Sequence, residues 1–219
     1  MFPALTDRTD SHGEFRIMKI RANRPGVLLV LLLASFATAN LDAQEAALDF
    51  TADGRLMRPE NYRTWAFVTS GLGMTYGPAR PDSGQPPAFT NVFVNPDAYA
   101  AFNESGQWPD GTFFLLEVRA SEENVSINSG GRTQGAQFAL EAAVKDSSRY
   151  PDGGWAYFDL GPPGEAVAPL PRTASCYSCH SEHGAVDWTF TQFYPDLFRV
   201  AEELGTVRAD YDPERALSE

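Results

Sequence analysis

The sequence predicts an α+β fold in which β-strands outnumber a few short helices. Runs of aromatic and β-branched residues, bounded by Gly, Pro and Asn, recur along the chain and are typical of strands. Two other segments begin with Pro and end before Gly, as short helices commonly do. The 219 residues, 43% of them hydrophobic, suit one buried domain, which we assign to residues 40–219.

Five runs are candidate strands because aromatic, β-branched or alternating apolar residues dominate them. They cover residues 62–68, 89–94, 112–119, 137–144 and 155–160. The fourth run is ambiguous, since Phe138, Leu140 and Ala142 alternate as in a strand whereas its alanine content suits a helix.

Two helices are predicted from their end signals. The first covers residues 97–105, because Asn95 is a suitable N-cap and Pro96 suits the first helical position. The second runs from Pro195 to Leu204, and a glycine follows each segment where helices often end. Three stretches are predicted to be irregular, namely a Pro/Gly-rich loop, a surface linker and a frayed tail: residues 77–87, 161–171 and 206–219.

The amino-terminal part of the chain has the pattern of a secretory signal. Basic residues precede a short apolar run, and small residues follow it. We predict a signal peptide over residues 18–39, with cleavage after Ala43 as the alternative. The run is too short to span a bilayer, which takes about 18 or more apolar residues. We therefore expect an exported, periplasmic protein, and we interpret residues 1–17 as an upstream extension outside the fold.

Charge and cysteine content narrow the possible partners. The formal net charge is −12, so no basic surface is expected for a phosphate backbone and nucleic acid is not an expected partner. The chain has two cysteines, which allow at most one disulfide. Their number alone does not show whether the protein is in an oxidising or a reducing compartment.

The most informative motif is Cys176-Tyr177-Ser178-Cys179-His180. Thiols three positions apart can join two haem vinyl groups as thioethers, and the adjacent histidine then ligates the iron. A zinc site is disfavoured because these residues and His183 are spaced too closely for the usual four ligands. A thioredoxin-like pair would follow an early strand, and a structural disulfide would leave His180 unexplained. The sequence therefore predicts one covalent haem c near the carboxyl end of the chain.

The sixth iron position decides what such a haem can do. His183 follows His180 too closely to reach the opposite face of the porphyrin. Met57 lies in a polar segment ahead of the first predicted strand, and Met74 lies beside glycines. Both side chains are therefore expected to pack against their neighbours rather than to ligate iron. Lys145 is the remaining candidate. We expect five-coordinate iron, which binds small neutral ligands such as nitric oxide or carbon monoxide.

Six blocks of sequence surround this motif: residues 59–65, 92–99, 106–112, 141–146, 154–158 and 190–195. In order and spacing they resemble the cytochrome P-460 family, which includes the β-sheet type of cytochrome c-prime. The resemblance implies a mainly antiparallel sheet that carries the haem, short helices packed on it, and a homodimer.

The family divides at the position of one lysine. Members that oxidise hydroxylamine carry a lysine cross-linked to the haem, and Leu116 stands at the similar position here. Thr90 lies near the position of a distal arginine found in some of those enzymes. Lys145 falls in a different block and is expected to be a surface residue near Asp146. The resemblance therefore implies the branch that lacks the cross-link and binds gases.

Residues of the predicted strand 112–119 are candidates to face the haem. Phe114, Leu116 and Val118 alternate and would give the pocket an apolar wall, although plain core packing explains the same pattern equally well. Glu117 and Glu141 are the acidic candidates for proton transfer, with a structural or solvated role as the alternative.

Three functions remain open at this level. The preferred one is a haem protein that binds nitric oxide or another small ligand at open iron. The second is an oxidoreductase that acts on hydroxylamine or nitric oxide and passes electrons to a redox partner cytochrome. The third is simple electron transfer, which requires a sixth protein ligand.

Overall fold

The computed structural model describes residues 48–76 and 84–214. The predicted signal peptide, the extension before it and part of the predicted loop over residues 77–87 lie outside these ranges. All described residues fall within one compact unit, Asp42–Glu219. None of their helices is long and apolar enough to cross a membrane.

A five-stranded antiparallel sheet forms the centre of the described fold. The elements are β1 (Leu56–Met57), β2 (Ala66–Leu72), β3 (Phe89–Val94), α1 (Pro96–Ser105), β4 (Phe113–Glu122), β5 (Thr133–Lys145), β6 (Trp155–Asp159), β7 (Ala166–Val167), α2 (Ser175–His183) and α3 (Pro195–Leu204). Strands β2 to β6 are neighbours in chain order, as expected for strands joined directly to the next, and β1 pairs with β7. The predicted α+β class with a mainly antiparallel sheet is confirmed.

Most predicted elements are present, with differences at their ends. Strand β3 and helix α3 have the predicted bounds, and the ambiguous run 137–144 is a strand because it pairs on both sides, with β4 and with β6. Residues Tyr62–Thr64 form a 3₁₀ turn, and the predicted first strand begins only at Ala66. In such a turn residues three apart lie on the same side, so Tyr62 and Trp65 both reach the core.

Two stretches predicted to be irregular are partly ordered. Ala166–Val167, within the predicted linker, pairs with Leu56–Met57. Beyond α3, the guanidinium of Arg208 donates to the carbonyl of Ser181 at 2.6 Å, so the predicted frayed tail is packed at this point. The last carbonyls of a helix lack partners within the helix, and those of α2 therefore attract this cation.

The two faces of the sheet are covered by different parts of the chain. Side chains alternate between the faces along each strand. The face that carries Val92, Phe114 and Tyr157, here called the helix face, packs against residues of α1, α2 and α3. The opposite face, with Phe93 and Leu115, packs against apolar residues that precede β2. Each candidate site residue can therefore be assigned to a face.

Candidate haem site

Helix α2 brings the side chains of the cysteine and histidine motif together. Residues three and four positions apart lie on one side of a helix, so Cys176, Cys179 and His180 share a side. Tyr177, between them in sequence, is buried and packs edge-on against Tyr157 of β6, with 4.9 Å between ring centroids. Tyr177 thus holds α2 on the helix face and leaves both thiols only partly buried.

His180 is held by two aromatic rings and one backbone carbonyl. Its ring centroid lies 4.5 Å from that of Tyr157 and 4.3 Å from that of Phe190. Its Nδ1 is 2.8 Å from the carbonyl oxygen of Trp188. A carbonyl can only accept a hydrogen bond, so Nδ1 carries the proton and Nε2 keeps its lone pair. Burial lowers the pKa of His180 to about 4, against the opposing effect of this hydrogen bond, so the ring is neutral at pH 7.

The two thiols do not have the properties of a thiol redox catalyst. Burial raises the pKa of both Cys176 and Cys179, and nearby Glu141 raises that of Cys176 further. Reactive redox cysteines instead have lowered pKa values. Within residues 48–76 and 84–214, no three His, Cys, Asp or Glu side chains are grouped so that they could hold a metal ion. The raised pKa values speak against the thioredoxin-like alternative.

The carbonyl that binds His180 belongs to a tight turn that sequence reasoning missed. Asp187 and Trp188 have φ angles of 45° and 60°, and the amide of Thr189 donates to the carbonyl of Val186 at 2.8 Å across them. Positive φ at both central residues usually selects Asn-Gly or Asp-Gly. In the sequence, Asp187 predicts such a turn only weakly, because Asp adopts positive φ more often than most residues. Trp188 does not predict it, because a bulky residue rarely adopts positive φ.

Lys145 is neither a surface residue nor a partner of Asp146, which corrects that expectation. Its Nζ donates to Asp187 Oδ2 at 2.5 Å and to the carbonyl of Trp108 at 2.6 Å. Asp146 pairs instead with Arg149, at 3.1 Å. The amine of Lys145 is therefore bound to Asp187, in the turn from Val186 to Thr189.

The strand register places the predicted apolar wall on the helix face. Phe114 and Leu116 both pack with the cluster that includes Tyr177 and Cys176. Val118 follows two residues later, before the register shift of β4, and so has the same orientation. That these side chains contact haem stays a prediction.

The two acidic candidates lie on opposite faces of the sheet. Glu141 pairs in register with Leu116 on one side and Asp159 on the other, so it lies on the helix face. The residue as a whole is exposed, but its pKa is raised, first by desolvation of the carboxylate by the protein around it and then by the charge of Asp159. The charge of Glu141 also raises the pKa of Cys176 and of Tyr76, whose ring stacks on that of Phe190 with 6.0 Å between centroids.

Glu117 lies on the face away from His180 and takes part in a buried polar network. It is 0% exposed and accepts hydrogen bonds from Tyr62 at 2.6 Å, Asn91 at 3.1 Å and Arg119 at 3.2 Å. It also pairs with Arg63. Burial by itself raises the pKa of Glu117, but these partners outweigh it and leave the pKa below its usual value. The structure gives this carboxylate a structural role.

The candidates for a sixth iron ligand occupy different parts of the fold. Met57 is in β1 of the small sheet, and His183 is the last residue of α2. Met74 is the one nearest the predicted wall, because its sulfur lies 3.9 Å from the hydroxyl of Thr90, which pairs in register with Val118.

The residues of this site fit a haem. Two thiols and a neutral imidazole with a free Nε2 are the donor set of covalent c-type attachment. The hydroxyl of Tyr157, whose ring touches His180, is buried and has no hydrogen-bond partner in the described part of the chain. An unpaired buried hydroxyl costs about 1–3 kcal/mol, so a polar group of a bound cofactor is a suitable partner for it.

Comparison with known proteins agrees with this geometry. Residues 59–191 match the family model described as Cytochrome P-460, and this segment contains the central sheet, the motif and the turn beside His180. No curated protein matches the chain at a significant level. Because the matched segment is more than half of the chain, the protein belongs to the cytochrome P-460 family, and haem is the cofactor that this family implies.

Proposed function

We propose that this chain is an exported c-type cytochrome with one haem, bound covalently through Cys176 and Cys179 and ligated by His180. The observation that carries the proposal is the placement of His180. It lies beside both thiols on α2, and its Nδ1 is engaged with Trp188 so that Nε2 is free to bind iron. Export rests on the predicted signal peptide, and a homodimer rests on the resemblance to the family.

The described side chains favour a small neutral ligand on the side of the cofactor opposite His180. A haem held by Cys176, Cys179 and His180 would supply an iron able to bind a molecule such as nitric oxide. The rings of Phe190 and Tyr157 both pack against the His180 ring and restrict its orientation. Phe114, Leu116 and Val118 form an apolar wall on the same face of the sheet, and such a wall disfavours charged ligands.

An absorption spectrum of the haem-loaded protein tests the open position. The reduced protein is expected to be high-spin and to change on addition of carbon monoxide. A low-spin spectrum that carbon monoxide leaves unchanged would contradict the proposal and favour simple electron transfer. In that case Met74→Leu, which removes the methionine nearest the wall, shows whether its sulfur is the sixth ligand.

Covalent attachment has its own test. Cys176→Ala and Cys179→Ala should each leave protein that loses haem under denaturing conditions more readily than the wild type, since each removes one thioether. If both single variants kept covalent haem, the attachment assignment would be wrong.

A second candidate function is oxidation of hydroxylamine or nitric oxide, and Glu141 is the observation that favours it. A carboxyl whose pKa is raised, on the face of the sheet that carries the site, is a candidate for proton exchange. Hydroxylamine turnover with an electron acceptor, reduced about 100-fold or more in Glu141→Gln, would support this function. Glu117→Gln is the matched control, because that carboxylate lies on the opposite face. A haem-loaded wild type without turnover would rule the second function out for hydroxylamine.

A further inference from the structure

The turn that presents the Trp188 carbonyl has a conformation that its own residues do not favour. Asp187 and Trp188 are both left-handed, at φ 45° and 60°. Asp adopts this conformation at modest cost, whereas a bulky residue such as Trp rarely does. Such a turn persists only where the surrounding structure fixes it, so its contacts with the rest of the fold determine where the carbonyl points.

Two side chains, one from β5 and one from the connection between α1 and β4, hold the turn. Lys145, the last residue of β5, donates to Asp187 Oδ2 at 2.5 Å and to the carbonyl of Trp108 at 2.6 Å. The indole nitrogen of Trp108 in turn donates to Thr189 Oγ1 at 3.0 Å. The side chains of Lys145 and Asp187 are 17% and 24% exposed, so solvent screens their attraction less than that of a surface pair.

Two glycines let the turn lie close to its neighbours. A Cβ atom on Gly184, at the end of α2, would lie 2.7 Å from the carbonyl carbon of Trp188 and from the amide nitrogen of Thr189. A Cβ atom on Gly153 would lie 2.3 Å from the Trp188 indole. The backbone of the turn therefore lies directly against the helix that carries His180, and its indole lies against the β5–β6 connection.

We propose that Lys145 and Asp187 are positioning residues for the axial histidine. Their ion pair fixes the left-handed turn so that the Trp188 carbonyl accepts the Nδ1 proton of His180. This inference rests on the proposed function, in which His180 ligates the haem iron. A hydrogen bond from the far nitrogen of a ligating histidine fixes its tautomer and makes the ligating nitrogen a stronger donor. A stronger donor stabilises ferric iron, so the ion pair lowers the reduction potential.

The test uses the haem-loaded full chain with the variants Asp187→Asn and Lys145→Met. Asn tolerates the left-handed conformation and removes the charge, and Met keeps much of the length of Lys without its amine. Asp146→Asn is the matched control, because it breaks the neighbouring pair with Arg149, 3.1 Å apart, and has no contact with the turn in the described hydrogen bonds. The quantities measured are the reduction potential, the iron–histidine stretching frequency of the ferrous protein and the thermal unfolding midpoint.

Both pair variants are expected to favour ferrous iron about tenfold more than the wild type, which is a positive shift of about 59 mV for one electron. The iron–histidine frequency should fall in both, because Nε2 becomes a weaker donor. The double variant should shift the potential no further than either single variant, since both break the same interaction. The control should keep the wild-type potential and frequency whatever its effect on the unfolding midpoint.

Wild-type potential and frequency in a haem-loaded pair variant would overturn the inference, even if that variant unfolded at a lower temperature. One folded pair variant is enough for this decision, because each removes the ion pair. A wild type that carries no covalent haem on a denaturing gel would instead contradict the proposed function, and this result is visible before any variant is made.

Discussion

At the scale of single residues, two neighbours in sequence have different roles. Leu116 and Glu117 are adjacent in β4, yet Leu116 packs on the helix face while Glu117 is buried in a polar network on the other. A buried carboxylate is stable only when paired or fully hydrogen-bonded, and Glu117 has both kinds of partner. Its contribution to stability should therefore depend on its ionisation.

Glu117→Gln should lower the free energy of unfolding by about 2–3 kcal/mol at pH 7, because two guanidiniums and two neutral donors lose a charged acceptor. The pKa of Glu117 is lowered in the folded state. Its stabilising effect is thus complete above the unfolded pKa, about 4.3, and is lost as the pH falls through the folded pKa. Urea unfolding at pH 7 and at acid pH should show the difference between variant and wild type shrinking as the pH falls.

Glu141 is the control, because its pKa is shifted in the direction opposite to that of Glu117. The pKa of Glu141 is raised in the folded state by desolvation and by Asp159, so its ionised form does not stabilise the fold, and because the residue is exposed the effect on stability is small. Glu141→Gln should not reproduce the loss at pH 7. If Glu117→Gln gave the same destabilisation at every pH, ionisation of Glu117 would not be the cause.

At the scale of elements, the position of α2 depends on how it is anchored. Helix α2 spans only Ser175–His183, and isolated helices of this length are marginal in water. Tyr177 provides the anchor, through its ring against Tyr157 and its hydroxyl, which donates to the Leu170 carbonyl at 3.1 Å. Packing on the sheet, rather than helix propensity, therefore holds Cys176, Cys179 and His180 in place.

Tyr177→Ala should lower the free energy of unfolding by about 3–5 kcal/mol, as loss of a buried aromatic ring usually does. Tyr177→Phe keeps the ring and removes only the hydrogen bond to Leu170, so its cost should be about 1 kcal/mol. Denaturant unfolding of both variants measures the difference. Equal costs for the two would mean that the ring packing does not anchor α2.

At the scale of the whole molecule, the central sheet separates two layers with different tasks. The helix face carries α2 and the candidate haem site, whereas the opposite face holds the Glu117 network and the segment that precedes β2. The family match over residues 59–191 includes both layers. The chain ahead of residue 48 lies outside the described structure, and its role is inferred from sequence alone.

The predicted signal peptide gives a prediction for the whole chain. Protein recovered from the periplasm of a host with cytochrome maturation should begin at residue 40 or 44, because the cleavage signals lie just before them. Mass spectrometry of the purified protein measures this, together with the added mass of one haem. Intact protein starting at Met1 in the cytoplasm would contradict export.

Local rules explain why much of the fold was predictable. Strand β3 and helix α3 have the predicted bounds, because β-branched runs and Pro/Gly ends act within a few residues. The pair β1 and β7 was missed, because two-residue strands whose paired residues lie 109 and 111 positions apart have no local signal. Tyr62–Thr64 was misassigned because burial of Tyr62 and Trp65 overrode strand propensity.

The sequence by itself determined the motif on which the haem proposal rests, since two cysteines and a histidine at fixed spacing predict that chemistry, and it determined the alternation that separates Leu116 from Glu117. Only the tertiary structure decided what surrounds His180. The Trp188 carbonyl follows His180 by only eight residues, but Lys145, which pairs with Asp187 in the same turn, lies 42 residues before Asp187. Their meeting depends on strand register and on packing against α2, which no local pattern of residues encodes.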